Sequence, residues 1–411
     1  MSNFSQAPHA VSGLAPFTFS IPKEEIDALN TLLKRPLPIA TWENSQQDGR
    51  FGPSRDWLSK AISKWQAYDW QVPNPRLVVE SVATHKYQEQ INGIPNFKVP
   101  VEDEGVTYDV HFAGLFSQKK DATPLLLSHG WPGSFLEFLP ILQKVQKQYA
   151  ADPASLPYHL IVPSLPGYGF SNIPVTVDMN MVIVSRVLNK LMVKLGFKQY
   201  IAQGGDVGSM ITKTVTEEYD ECIAGHVNML MIGPPEDKNV APPTEIEQKA
   251  IERSMKFREH GMAYAWLHGT RPSTAGLAIG SSPQSLLAWI GEKMIDWSDE
   301  TPSIEEILGN VSIYWFSGCY PSSIWPYRGL VGPLAQNRLS MGSMDKIKKP
   351  FGCSWFPKEL AAAPKSWAEA TGKVTFFKAH DQGGHFAALE KPELLWQDIV
   401  EFVDHVHATR K

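Results

Sequence analysis

The chain has 411 residues, of which 43% are hydrophobic and 20% charged, and its net charge is −5. This composition is ordinary for a globular protein of more than one structural unit, and without a long basic run it argues against nucleic acid or an anionic membrane surface as a partner. The three cysteines, Cys222, Cys319 and Cys353, are far apart and lack metal-ligand spacing, which favours a reduced, cytoplasmic protein without a metal.

The first 115 residues are rich in Trp, Pro and Asn and carry only scattered helical patterns. Residues 1–16 contain no apolar run long enough for a signal peptide or a membrane anchor. Helical spacing predicts helices over 26–33 and 57–70, with Ser54 as the N-cap of the second, whereas 70–75 is typical of extended chain. We interpret this region as a meander laid over a larger domain.

From residue 116 onward, short apolar runs alternate with helical patterns. Continuous apolar runs of this kind are typical of strands buried on both faces, and their alternation with helices predicts a mostly parallel sheet. The expected strands are 107–112, 124–128, 159–163 and 199–203, and the expected helices are 179–195 and 209–219.

A helical insertion is predicted between residues 235 and 335, because no strand pattern interrupts its helical ones. One helix is expected over 245–268, a second from Ser282 and Pro283 to 297, and a third after a capping box that begins at Ser303. A strand at 374–377 and a helix at 392–406 then resume the alternating pattern. The expected organisation is of the α/β class, with a meander (1–115), a core in two parts (116–234 and 336–411) and a helical lid (235–335).

The sequence Gly-x-Asp-x-Gly at 204–208 has the glycine spacing of a nucleophile elbow, a strained strand-to-helix turn that presents one side chain to an active site. Its central residue is Asp206, which predicts attack by a carboxylate on a carbon and an ester bound to the enzyme. Gly205 is expected to shape the turn. Taken alone, the motif could be a chance turn, but the strand before it and the helix after it favour the functional interpretation.

A second motif, His-Gly-Trp-Pro-Gly, follows the predicted strand at 124–128. Gly130 lets the backbone approach a ligand, and the amide of Trp131 is predicted to be one oxyanion donor, with the amide of Val207 as the second. His129 and Pro132 are expected to shape this loop. The alternative interpretation is a Gly-Pro turn with an apolar anchor.

The histidine best placed to act as a general base is His385, which follows two glycines after the predicted last strand. His380 is its nearest rival. Such a base needs a carboxylate to orient its other nitrogen. We prefer Glu359, because Asp381 is too close in sequence to reach back, although Glu359 could instead cap a helix.

Attack on a strained ring carbon would also require a proton donor for the oxygen that leaves. Tyrosine, with a pKa of about 10, can donate at neutral pH. Tyr264, Tyr314, Tyr320 and Tyr327 all lie in the predicted lid. Periodicity does not say which of them face a pocket, and lid aromatics belong to a core more often than to a site.

Together these motifs resemble the epoxide hydrolase family, in the microsomal-type branch that includes soluble fungal members. The resemblance covers nearly the whole chain and extends to Phe-Pro-Lys-Glu at 356–359 and Ser-Leu-Pro-Gly-Tyr-Gly-Phe-Ser at 164–171. It implies an α/β-hydrolase fold with a helical lid and an N-terminal meander. It also implies five catalytic residues: Asp206 as nucleophile, His385 as base, Glu359 as orienting acid, and Tyr264 and Tyr327 as proton donors.

The same resemblance implies hydrolysis of a small apolar epoxide to a vicinal diol, through an ester on Asp206 and without a cofactor, a metal or a membrane anchor. It leaves open whether the protein forms a homodimer. Two alternatives also stay open. A haloalkane dehalogenase-like enzyme would hold a halide with Trp or Asn N–H donors, and Trp131 is compatible with that role. A non-catalytic ligand-binding relative would bind an epoxide without turnover.

Overall fold

The structure, a computed structural model, describes residues 4–38, 51–67, 86–237, 239–331 and 344–410. The extended stretch predicted at 70–75 and the predicted boundary between residues 335 and 336 lie outside these ranges. None of the helices in the described part of the chain is long and apolar enough to cross a membrane.

A nine-stranded sheet forms the centre of the protein, with the strand order β1-β2-β3-β5-β4-β6-β7-β8-β9. The strands are β1 (Ala15–Phe17), β2 (Asn96–Asp103), β3 (Val106–Leu115), β4 (Thr123–Ser128), β5 (Tyr158–Pro163), β6 (Tyr200–Gly204), β7 (Cys222–Val227), β8 (Phe351–Trp355) and β9 (Val374–Ala379). The six strands from β5 to β9 in this order are parallel, and the other three pair antiparallel. The predicted mostly parallel sheet is confirmed.

Burial explains why the apolar runs are central strands. All six residues of β5 and all five of β6 are buried, because helices cover both faces of a parallel sheet. The helices are α1 (Lys23–Leu33), α2 (Arg55–Gln66), α3 (Lys86–Gly93), α4 (Leu139–Gln148), α5 (Met181–Lys194), α6 (Val207–Glu218), α7 (Glu245–His260), α8 (Ala263–Thr270), α9 (Pro272–Gly280), α10 (Pro283–Asp296), α11 (Ile304–Ser317), α12 (Tyr320–Ile324), α13 (Lys365–Ala370), α14 (Ala387–Glu390) and α15 (Pro392–Thr409).

The lid consists of α7 to α12, which lie between β7 and β8 in the chain. The predicted capping box is present, because Ser303 and Glu306 exchange side-chain and backbone hydrogen bonds at the start of α11. The single helix predicted over 245–268 is wrong. The chain leaves the helix at Gly261, whose amide closes the last turn of α7 onto the carbonyl of Phe257, and α8 begins two residues later.

The N-terminal region joins the sheet to the lid. Its strands β1 and β2 extend the sheet beyond β3, while its helices contact the lid. The indole of Trp65 in α2 donates to Ser312 Oγ in α11 at 3.0 Å, and Gln284 in α10 donates to the carbonyl of Arg35 at 2.7 Å. Ser54 caps α2 as predicted, accepting from the amide of Trp57 at 3.1 Å.

Candidate active site

The turn between β6 and α6 presents Asp206 in a strained conformation, with φ 48° and ψ −126°. A residue other than glycine rarely occupies this region, and such strain is concentrated at functional sites. Close packing explains the flanking glycines. A Cβ on Gly204 would overlap the carbonyl of Gly208, and a Cβ on Gly208 would overlap the carbonyl of Ser128 at the end of β4.

The loop after β4 holds one oxygen of the Asp206 carboxylate. The amide of Trp131 donates to Asp206 Oδ1 at 2.8 Å. A Cβ on Gly130 would overlap that same oxygen, so glycine is required for this approach. The amide of Val207 lies in the first turn of α6, directly after Asp206, and its role as a second donor stays a prediction.

His129 lies in the same loop, and both nitrogens of its ring contact backbone groups. Its buried ring donates from Nδ1 to the carbonyl of Gly130 at 3.0 Å and accepts at Nε2 from the amide of Leu165 at 3.3 Å. Burial lowers the pKa of His129 to about 4, although the carbonyl of Gly130 and the Asp206 carboxylate oppose the shift. A neutral ring with both nitrogens engaged suits the loop-shaping role that the sequence predicted.

The lid helix α11 also braces the loop, through two residues that the sequence did not single out for this task. Asn310 donates to the carbonyl of Pro132 at 2.6 Å, and the hydroxyl of Tyr314 donates to the carbonyl of Gly133 at 2.8 Å. These bonds satisfy backbone carbonyls that would otherwise be buried without partners. The position of the Trp131 amide therefore depends on the lid as well as on the core.

The structure brings His385 and Glu359 to Asp206. Nδ1 of His385 donates to Oε1 of Glu359 at 2.7 Å, and Nε2 lies 3.4 Å from Oδ2 of Asp206. The side chains of His385 and Glu359 are each 1% exposed, so water screens the pair little. The backbone turn before His385 needs Gly383, whose φ is 112°.

The electrostatic state of His385 follows from its two carboxylate neighbours. Burial alone would lower the pKa of His385, but the charge of Glu359 and the hydrogen bond and charge of Asp206 outweigh it, and the pKa lies well above its usual value. The ring of His385 is therefore protonated near neutral pH.

The rival residues lie elsewhere. Nε2 of His380 contacts Oδ2 of Asp398 at 2.6 Å, and its ring stacks on Phe356. Asp381 is exposed at the surface. The hydrogen bond to Glu359 thus distinguishes His385 from His380 in a way that the sequence alone could only suggest.

Two of the four lid tyrosines line the same cavity as Asp206. Tyr264 comes from α8 and Tyr327 from a helical turn over Trp325–Gly329. Their hydroxyls lie close enough for each to shift the pKa of the other. Burial raises the pKa of both, as does the nearby Asp206 charge, so both phenols stay protonated at neutral pH.

The other two tyrosines serve the packing of the lid. Tyr314 donates to the carbonyl of Gly133 in the loop after β4, as described above, and the hydroxyl of Tyr320 lies 3.3 Å from Nε2 of the buried His268. The indole of Trp131 stacks on the ring of Tyr264, with centroids 5.1 Å apart and planes at 11°. This stack fixes the α8 tyrosine relative to the loop after β4.

The cavity shared by Asp206 and the two tyrosines has a volume of about 420 Å³. Its walls are mostly apolar, and the residues that form them include Met210, Met229, Met231, Phe257, Trp266 and Leu360. An enclosure with few, convergent polar groups is typical of a small-molecule site.

Two family models match the chain. One, described as epoxide hydrolase N terminus, covers residues 14–138, and the other, described as alpha/beta hydrolase fold, covers residues 123–261. They confirm the fold that the resemblance implied.

Known proteins match over most of the chain. A solved epoxide hydrolase from Aspergillus niger is 41% identical, covers 98% of this chain and 99% of its own, and superposes with a TM-score of 0.87. An enantioselective mutant of an epoxide hydrolase from the same organism is 42% identical, covers 98% of this chain and 99% of its own, and superposes with a TM-score of 0.85. A juvenile hormone epoxide hydrolase of Ctenocephalides felis is 30% identical over 379 residues, covering 85% of this chain and 77% of that protein.

Proposed function

The chain belongs to the epoxide hydrolase family, and from that premise we propose that it converts an apolar epoxide to a vicinal diol through an ester on Asp206. One observation carries the proposal. The Asp206 carboxylate is held by the Trp131 amide and by His385, and it lines one cavity with two buried, neutral tyrosines. A nucleophile, a base and an acid are thus available around a single apolar space.

In the first step, Asp206 opens the ring. Because the Trp131 amide holds Oδ1, the nucleophile is Oδ2. A bond forms between Oδ2 and a ring carbon as the carbon–oxygen bond of the epoxide breaks. The departing oxygen takes a proton from the hydroxyl pair of Tyr264 and Tyr327, since an alkoxide is too basic to leave unprotonated.

Ester formation also prepares the base for the second step. Two carboxylates raise the pKa of His385, and alkylation removes the charge of Asp206, so the pKa of His385 falls. The proton of the imidazolium can then replace the one that the tyrosine lost. This transfer balances the proton count and leaves His385 neutral at the stage where a base is required.

In the second step, water hydrolyses the ester. The water oxygen bonds to Cγ of Asp206 while His385 Nε2 takes its proton, and Glu359 stabilises the imidazolium. The carbonyl electron pair moves to Oδ1, which the amides of Trp131 and Val207 stabilise. Collapse breaks the ester bond, and the diol oxygen recovers the proton from His385. The new carboxyl group of Asp206 then gives its remaining proton to His385, which restores both the carboxylate and the imidazolium.

Two tyrosine hydroxyls at the cavity favour an epoxide oxygen over a halide as the leaving group. An alkoxide needs a proton, which a phenol supplies, whereas a halide needs only N–H donors. The enzyme should therefore form a diol from an aryl epoxide such as styrene oxide and release no chloride from a chloroalkane. Chloride release without diol formation would instead favour the dehalogenase alternative.

The variant His385→Gln provides the test of the covalent step. It should still be alkylated, because Asp206 and both tyrosines remain, but it should hydrolyse the ester slower by about a hundredfold or more. Intact-mass spectrometry after epoxide addition should show an adduct of substrate mass that maps to Asp206. The matched control is His380→Gln, which should turn over without accumulating ester. A folded, substrate-binding His385→Gln enzyme without an adduct would contradict the nucleophile assignment.

A further inference from the structure

A second, much smaller cavity lies beside the catalytic carboxylate. Its volume is about 10 Å³, and Asp206 lines both this chamber and the large apolar cavity. About this much space holds a single water molecule, provided that polar partners surround it. Glu137, Asn228 and His385 supply such partners here.

The backbone is arranged to accommodate Glu137 at this chamber. Glu137 lies in a helical turn over Phe135–Phe138, and the backbone at Gly130 and Ser134 faces its carboxyl group. A Cβ on Gly133 would overlap Oε1 of Glu137. The last glycine of the loop after β4 therefore makes room for this carboxyl group.

A structural salt bridge does not explain a carboxyl group at this position. Among the described residues, the charged groups that act on Glu137 are His385 and Asp206, and neither is a lysine or an arginine. Taking a carboxyl group out of water is costly, and the group that favours its ionised form here is the proposed base His385. A role in the reaction would account for its retention.

We propose that the small chamber holds the hydrolytic water and that Glu137 binds it, an inference that rests on the ester mechanism proposed above. The water lies between the carboxyl group of Glu137 and Nε2 of His385, beside Cγ of Asp206. One of its hydrogens goes to Nε2 as the oxygen attacks Cγ. The other hydrogen bonds to Glu137, which gains and loses no proton in the net reaction.

The arrangement separates water from substrate. The apolar cavity contains the two tyrosines and takes the epoxide, while the polar chamber on the His385 side keeps its water during alkylation. The water is therefore already in place when the ester forms. It also does not need to pass the bound apolar group.

Burial and the two neighbouring catalytic residues set the electrostatics of Glu137. Burial raises the pKa of Glu137 to about 8, with protonated His385 opposing the shift and the Asp206 carboxylate adding to it. The backbone at Gly130 and Ser134 also faces the group and lowers its pKa. Alkylation removes the charge of Asp206, and the proton transfer described above removes the charge of His385, so the two changes act on Glu137 in opposite directions. A carboxyl oxygen of Glu137 can accept a hydrogen bond from the water in either protonation state.

Three variants test the proposal against the parent enzyme. Glu137→Ala removes the acceptor, Glu137→Gln keeps the shape and one acceptor oxygen, and Gly133→Ala displaces the carboxyl group without removing it. Rapid-quench mixing with an aryl epoxide gives the rate constants of alkylation and of ester hydrolysis separately, from the fraction of enzyme that carries the adduct. The variant His385→Gln, measured in parallel, establishes that the ester can be observed.

We expect alkylation within about threefold of the parent, and ester hydrolysis slower by about ten- to a hundredfold in Glu137→Ala, as for the loss of a buried hydrogen bond. Gly133→Ala should slow the same step, and Glu137→Gln should lie between Glu137→Ala and the parent. Equal losses in both steps, or unchanged ester hydrolysis in both Glu137 variants, would overturn the water site alone. Absence of the ester in His385→Gln would overturn the covalent mechanism itself. If Glu137→Ala does not fold, the isosteric Glu137→Gln decides.

Discussion

The core side and the lid side of the active site are built from different chemistry. The core side presents charged groups that contact one another, with His385 between Glu359 and Asp206. The lid side presents Tyr264 and Tyr327, two neutral phenols packed among aromatic rings. In the proposed mechanism, the sheet therefore fixes the groups whose charge changes during the cycle, whereas the lid supplies a proton and an apolar wall. Substitutions on the two sides should therefore slow different steps.

The largest effect should come from removing both lid hydroxyls. In the double variant Tyr264→Phe, Tyr327→Phe no donor remains for the ring oxygen, so kcat/KM for diol formation should fall about a thousandfold. Each single variant should lose less, because one hydroxyl remains. Rapid-quench measurement should place the loss in alkylation.

The matched control for this pair is Tyr320→Phe, which removes a lid hydroxyl that contacts His268 instead of the cavity. Its activity should stay within about threefold of the parent, while its free energy of unfolding falls by about 1 kcal/mol. A double variant that retained kcat/KM within tenfold of the parent would show that the lid does not supply the acid.

The next largest effect should come from the core. Glu359→Gln removes the carboxylate that holds the pKa of His385 high, so ester hydrolysis should slow by about a hundredfold. Ester hydrolysis in this variant should reach half of its maximal rate at a lower pH than in the parent. His385 acts as a base only when it is neutral, and its pKa is lower without Glu359. Glu359→Asp keeps the charge and should restore much of both properties. An unshifted pH profile in Glu359→Gln would contradict the pairing.

The same pair predicts how the free energy of unfolding depends on pH. The pKa of His385 is raised in the folded protein, so its stabilisation is fully present below the unfolded value of about 6.5 and is lost as the pH rises through the folded value. In urea denaturation, the free energy of unfolding of the parent should exceed that of Glu359→Gln by an amount that shrinks as the pH rises. A difference that grows with pH would have the wrong sign.

A pair of glycine substitutions compares packing on the two sides. A Cβ on Gly208 would overlap the carbonyl of Ser128, whereas a Cβ on Gly280 at the end of α9 would meet its nearest atom, Cδ1 of Tyr320, at 3.5 Å. Gly208→Ala should lower the free energy of unfolding by about 1–3 kcal/mol, and Gly280→Ala should change it by no more than about 0.5 kcal/mol. Equal stability of the two variants in urea would contradict the close packing of the elbow.

The smallest effect should come from the surface link between lid and core. Asp178 accepts from the indole of Trp325 at 2.8 Å and pairs with Arg328, on either side of Tyr327. Because the Asp178 side chain is 74% exposed, Asp178→Asn should cost less than about 1 kcal/mol, and less still at high salt. A loss above about 2 kcal/mol in urea would show a larger role in holding the lid.

Sequence patterns located the core side more completely than the lid side. Asp206 and His385 lie in short glycine-flanked motifs whose order along the chain matches the order of the strands, so their approach to each other could be anticipated. The lid tyrosines lie on helices whose orientation no periodicity reveals. The one-helix prediction over 245–268 failed because a single glycine interrupts the helix without disturbing its apolar spacing.

Two other features could not be predicted from the sequence, for physical reasons. The strand β2 contains Pro100, which lacks an N–H group and weakens a strand pattern, yet the strand pairs on both sides. In the sequence, nothing distinguishes Glu137 from an ordinary surface glutamate in a short turn. Only the fold shows that Gly133, Asp206 and His385 lie beside it.

The most direct test of the covalent account is a single turnover in water enriched in ¹⁸O, with enzyme in excess over epoxide. The covalent mechanism predicts a first-turnover diol without the label, because its new oxygen comes from Asp206, and one ¹⁸O atom in the peptide that contains Asp206. A first-turnover diol that carries ¹⁸O, with no label in that peptide, would mean that water attacks the epoxide directly and would rule out the ester on Asp206.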